Sequence, residues 1–117
     1  ENPDFDRPPI RNIMIQSRTE ADGTVVMTVM VDTLDRLTAA DFREQASPIL
    51  AASRGPVEVD CTMLEFIDSS GVGAFLHANK LLPAERRPVR LTGVGAKILT
   101  LLELMHVHRS FDLEARV

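Results

Sequence analysis

The chain has no tryptophan and no tyrosine, and only five phenylalanines and one cysteine in 117 residues. Without Trp or Tyr there is little on which nucleic-acid bases can stack, which argues against single-strand binding. The formal net charge of −4 argues against a polyanionic partner as well, while leaving a basic protein partner open. Cys61 stands alone, so no disulfide framework exists and a reducing compartment fits. No apolar run approaches the roughly 18 residues that a membrane span needs. The first residues carry neither the basic region nor the apolar core of a secretory signal. There is also no Gly-x-x-x-x-Gly-Lys-Ser/Thr or Gly-x-Gly-x-x-Gly loop. The expectation is a soluble cytosolic protein that has no cofactor, binds no nucleic acid and does not insert into a membrane.

What is present suffices for one globular domain. Apolar residues make up 44% and charged residues 26%, and a chain of this size buries roughly two-thirds of its unfolded surface. Glu1 to Pro9 holds three prolines and no apolar period, so residues 1–9 read as an irregular lead-in and 10–117 as the domain. Asn12 to Glu20 alternates apolar and polar residues, Ala21-Asp22-Gly23 is a turn, and Thr24 to Val31 is rich in β-branched residues, which together spell an antiparallel hairpin. Thr38 is the expected cap of a helix from Ala39, with Phe42, Ala46, Ile49 and Leu50 on one face. Pro48 is expected to kink or divide that helix.

Val57 to Cys61 and Val89 to Thr92 read as short strands and Ala96 to about His106 as a helix, with a last strand near Phe111 to Glu114. A further helix runs to about Leu82, its apolar face formed by Val72, Phe75, Leu76 and Leu82 and interrupted by Asn79. The order β-β-α-β-α-β-α-β implies an α/β fold, a mixed but mainly parallel sheet with an N-terminal antiparallel hairpin and helices packed against it.

The most informative stretch is Phe66-Ile67-Asp68-Ser69-Ser70-Gly71-Val72-Gly73. It lies where a strand hands over to a helix, so two hydroxyls sit at a helix N-terminus, where free N–H groups and the macrodipole favour negative charge. A phosphate on one of those serines is therefore well placed. The plainer alternative is that Ser69 is an ordinary helix N-cap. Gly71 and Gly73 read as close-approach glycines rather than as a phosphate-cradling loop.

In this setting the Asp68–Gly73 element resembles the signature of anti-sigma factor antagonists, which carry the STAS fold. The similarity extends over nearly the whole chain. Val31-Asp32-Thr33-Leu34-Asp35 takes the place of the family's Gly-Glu-Leu-Asp turn, and Leu99 to Phe111 resembles its last helix and following strand. The resemblance implies partner switching without catalysis by this chain. The unphosphorylated antagonist binds an anti-sigma factor that is also a serine kinase, the kinase uses its ATP to phosphorylate the first serine of the motif, and a phosphatase reverses the step. By position the acceptor is Ser69, with Asp35, Asp68, Ser70 and Gly71 around it. An interface is expected from the Asp32–Asp35 turn including Thr33, the Met63–Phe66 loop including Leu64, and the helix residues Gly73, His77 and Lys80. The chain departs from the family pattern at Asp32, where a glycine is usual, at Thr33, where an acid is usual, at Asn79, where an apolar residue is usual, and at His106, where a glycine commonly follows the last helix.

Rival readings are weaker. A serine hydrolase would need His77, His106 or His108 as base, and the nucleophile-elbow pattern Gly-x-Ser-x-Gly is absent. An Asp35–Asp68 catalytic pair has no pocket to serve. His106 and His108, two residues apart, make a poor metal site without further ligands. Within the same fold, a constitutive scaffold or transporter-associated STAS module without phosphorylation is the alternative.

Overall fold

The structure, a computed structural model, describes residues 13–116; the lead-in expected over 1–9 lies outside the described residues. The hairpin forms as expected. Strand β1 (Ile15–Thr19) pairs antiparallel with β2 (Val25–Val29), and Gly23 turns the chain at φ 93°, a conformation that costs glycine nothing. Strands β4 (Val57–Asp60), β6 (Arg90–Val94) and β7 (Asp112–Ala115) continue the sheet in parallel, in the order β1-β2-β4-β6-β7. Helices α1 (Ala39–Ala52), α2 (Ser69–Leu81) and α3 (Ala96–Leu104) form the crossovers. No helix among the described residues is long and apolar enough to cross a membrane.

Two strands escaped the sequence reading because each is only two residues long. Strand β3 (Thr33–Leu34) follows β2, strand β5 (Phe66–Ile67) follows β4, and the two pair in parallel. Neither is long enough to show an alternating pattern. Their pairing forms a small second sheet beyond the ends of the main one.

Alternation along the strands separates core from surface. Met27, Val59 and Leu91 stand in register and are buried. On the opposite face Glu58, Arg90 and Asp112 stand in register, and Arg90 Nη2 also lies 2.7 Å from Glu114. The core includes an aromatic chain. Phe42 of α1 meets Phe75 of α2 edge-on with centroids 5.6 Å apart, and Phe75 meets Phe111 at 6.4 Å, both within the favourable range for such pairs.

Pro48 does not divide α1, which is a single 14-residue helix. The ring is exposed, and burial of Ala39, Phe42, Ala46 and Leu50 holds both halves on the core. Thr38 occupies the N-cap position but makes no side-chain cap bond. Asp35 opens that helix instead. Its carboxylate accepts from Leu37 N–H at 2.9 Å and from the Thr38 hydroxyl at 3.2 Å, and its carbonyl accepts from the N–H groups of Thr38 and Ala39. Asn79, puzzling within an apolar stripe, is also explained. Its amide donates to Ser110 O and accepts from Val89 N–H, tying the end of α2 to the segments on either side of α3. The lone Cys61 is fully buried; desolvation, with Asp60 adding to it, pushes its thiol up to about 12, which makes it an inert core residue.

His106 has φ 59°, the left-handed conformation that glycine adopts freely. The N–H of Val107 bonds Leu102 O and that of His106 bonds Glu103 O, the pair of bonds that closes a helix with a left-handed residue. His106→Gly should therefore raise stability, by about 0.5–1 kcal/mol after the added freedom of the unfolded chain is subtracted. Urea unfolding of both proteins measures it, and equal midpoints would show that the strain at the histidine is no larger than the freedom a glycine adds to the unfolded chain.

Candidate functional site

The serine motif is assembled from two segments far apart in sequence. Asp32 O accepts from the N–H groups of Glu65 and Phe66, and Leu34 O accepts from Asp68 N–H. The Asp32–Asp35 turn and the Met63–Phe66 loop thus lie side by side, ahead of α2. Asp68 fixes the junction. Its Oδ1 accepts from Ser70 N–H at 2.8 Å and Gly71 N–H at 3.2 Å, and its Oδ2 accepts from Arg36 N–H at 3.2 Å. One carboxylate caps α2 and pins the β3–α1 turn to it.

This reassigns the cap. Asp68, not Ser69, is the N-cap of α2. Ser69 is the first helical residue and its side chain is exposed. Ser70 is half-buried and Gly71 buried. A β-carbon at Gly71 would collide with Leu34 O and the Ile67 side chain, so this glycine lets the helix start against β3 and β5. Ser69, Gly73, His77 and Lys80 follow at helical spacing along the outward side of α2, opposite buried Val72, Phe75 and Ala78.

The expected interface residues divide. Asp32, Met63 and Lys80 are exposed; Thr33, Gly73 and His77 are half-buried. Leu64 is a correction: it is 0% exposed, a core side chain unavailable to any partner. The loop turns it inward and leaves Met63 at 47% exposed. Leu37, on the turn beside Asp68, is an exposed apolar residue that the sequence reading did not single out; it is 79% exposed, and Phe66 is 54% exposed. An apolar cleft of about 230 Å³ opens beside Phe66, between β5 and α3, bounded by Ile67, Ile98 and Leu101 and by the charges of Glu65 and Lys97.

Arg116 was also missed. Its guanidinium donates to the carbonyls of Cys61, Thr62 and Leu64 and pairs with Glu65 at 3.1 Å. It braces the loop that leads to the serines. An isolated C-terminal arginine gives no sequence signal for such a role.

The geometry disfavours the hydrolase. His77 lies eight residues beyond Ser69 in the same helix, about 12 Å along the axis, beyond proton-transfer reach. The segment bearing His108 abuts the far end of α2 through the Asn79–Ser110 bond. Asp35 and Asp68 are both engaged in holding backbone N–H groups. A larger cleft of about 340 Å³ lies elsewhere, between the hairpin and the end of α1, and among the described residues no acidic, basic or histidine side chain lines it.

A family model described as "Mlab, STAS domain" matches residues 17–114. No curated protein matches the chain. Among solved structures, an anti-sigma-factor antagonist (STAS) domain protein from Planctomyces limnophilus superposes with TM-score 0.76 at 16% identity, over 86% of this chain and 89% of that one. SpoIIAA matches in two forms at 20% identity over 86% of this chain. The unphosphorylated form gives TM-score 0.68 over 88% of its own chain. The phosphorylated form, from Bacillus, gives 0.61 over 91%. The murine anion transporter Slc26a9 matches with TM-score 0.63 at 15% identity, over 81% of this chain and 16% of that one. At these identities the likeness is one of fold.

Two substitutions test the junction. Asp68→Ala removes acceptors from three N–H groups and should cost about 2 kcal/mol. Gly71→Ala should cost about 1–3 kcal/mol through overpacking against Leu34 and Ile67. Thermal unfolding measures both; a Gly71→Ala protein as stable as the parent would mean the helix start shifts freely.

Proposed function

The chain belongs to the STAS-domain family, and from that premise we propose that it is an anti-sigma factor antagonist switched by phosphorylation of Ser69. The observation that carries the reading is the division of labour at the helix start. Asp68 supplies the cap, so the exposed Ser69 hydroxyl is not needed for capping and is open to a kinase. The unmodified surface binds an anti-sigma factor that is also a serine kinase. That kinase transfers the γ-phosphoryl of its ATP to Ser69 Oγ, releasing ADP and the hydroxyl proton, and a serine phosphatase hydrolyses the ester again. This chain supplies the acceptor and the docking surface, catalyses neither step, and works in the cytoplasm.

The phosphate adds about −1.5 to −2 charge next to Asp68 and on the same side as Asp35. The N–H groups of Ser70 and Gly71 are already held by Asp68 Oδ1, so the helix end offers the new charge less compensation than a free N-terminus would. The added charge therefore projects from the surface formed by Leu37, Asp32, Thr33, Met63, Phe66 and the Gly73–His77–Lys80 stripe. A partner fitted to a partly apolar surface loses affinity there. A second reading, a constitutive interaction module that is never phosphorylated, draws support from the likeness to part of an anion transporter.

Capture from lysate with Ser69→Ala and Ser69→Asp baits, with mass spectrometry of the parent protein for phosphate, separates the two. Ser69→Ala should unfold within about 0.5 kcal/mol of the parent, as an exposed substitution does. The switch predicts a kinase-type partner kept by Ala and lost by Asp, and phosphate on Ser69. A partner kept equally by both baits, with no phosphate, would establish the constitutive module.

A further inference from the structure

Arg43 follows the buried Phe42 on α1, and its side chain is exposed. The guanidinium reaches across to α2, where Nη2 stands 3.2 Å from the point a β-carbon would occupy at Gly73. The missing side chain at 73 lets a cation lie on the helix surface itself. Gly73 is four residues beyond Ser69, so the two positions share a helix face roughly 5–6 Å apart. Each helix joins parallel strands of one sheet, so α1 and α2 run in the same direction. Helical side chains lean toward the N-terminus, which inclines Arg43 toward the end of α2 that carries Ser69. Among the described residues Arg43 takes part in no ion pair.

We infer that Arg43 receives the phosphate of phosphorylated Ser69. The inference rests on the reading of Ser69 as the acceptor. Three nearby backbone donors are already engaged, Ser70 and Gly71 N–H by Asp68 Oδ1 and Arg36 N–H by its Oδ2. Among the described residues, the contacts bring these charged residues to the start and outward side of α2: Asp68 beside Ser69, Asp35 and Arg36 on the β3–α1 turn, and Arg43 from α1. Of the two cations, Arg43 is the one that lies on α2. A guanidinium presents paired N–H groups that match phosphate oxygens. The consequence is a double change at the docking surface. In the unmodified protein Arg43, which makes no ion pair among the described residues, is a positive group beside the α2 stripe; after modification it is drawn to the phosphate and neutralised. A single modification then adds negative charge and withdraws a positive contact.

The test uses the full chain with phosphoserine genetically encoded at position 69, titrated by phosphorus NMR. Asp68 and Asp35 push the second ionisation of the phosphate up, and Arg43 should make it fall by roughly half a pH unit relative to a protein without that guanidinium. Arg43→Gln should abolish that fall and Arg43→Lys should retain part of it, whereas Arg36→Gln should leave it intact. Before modification all of these proteins should unfold at the parent's temperature, because both arginines are exposed. The same titration in Arg43→Gln and parent proteins, or a fall abolished by Arg36→Gln instead, would overturn the assignment. Because the phosphate is encoded, the result does not depend on a kinase. An Arg43 effect in a protein found never to be phosphorylated in the cell would sink the switch and leave the contact standing.

Discussion

The Asp68 carboxylate ties the functional end of the molecule together. Three N–H groups from two segments, Ser70, Gly71 and Arg36, converge on its two oxygens. Charge-assisted bonds of this kind are among the stronger ones available at a partly exposed site. Once they form, the start of α2, the turn before α1 and the β3–β5 pair become one unit. The position of Ser69 on that unit follows directly. A serine in the cap would have its oxygen turned toward the backbone, whereas a serine one residue later presents its hydroxyl outward.

The same end of the fold is reinforced from two other sides. Gly71 removes a side chain where α2 meets Leu34 and Ile67, and Arg116 draws the carbonyls of the Cys61–Leu64 loop onto one guanidinium. Rigid support beneath and exposed chemistry above is the arrangement a docking surface needs, because a partner then meets groups that are already ordered. Met63, Phe66 and Leu37 remain outward although apolar. Next to Met63 and Phe66, Leu64 and Ile67 are fully or nearly fully buried, so one short stretch both anchors itself in the core and presents apolar side chains outward.

The departures from the family pattern have different physical meanings. His106 takes the left-handed backbone that a glycine would occupy, so the helix ends in the same way at some cost in strain. Asn79 replaces an apolar contact with two hydrogen bonds and so joins segments rather than weakening the core. Asp32 contributes to the junction through its carbonyl, a role any residue can fill, which leaves its exposed side chain to set the character of the surface.

Local signals in the sequence determined much of this protein. Alternating residues gave the hairpin, helical spacing gave most of the buried faces of α1 and α2, and the Asp68–Gly73 element marked the strand-to-helix junction. These features are legible because period and turn chemistry are properties of neighbouring residues. Tertiary structure decided the rest. The two-residue strands β3 and β5 exist only as each other's partners. Whether Asp68 or Ser69 caps α2 depended on a turn more than 30 residues away offering Arg36 N–H to the second carboxylate oxygen. The inward turn of Leu64, the reach of Arg116 and the seat of Arg43 over Gly73 likewise depend on surroundings supplied by distant parts of the chain. No residue carries in its own neighbourhood the position of a group that folding alone brings beside it.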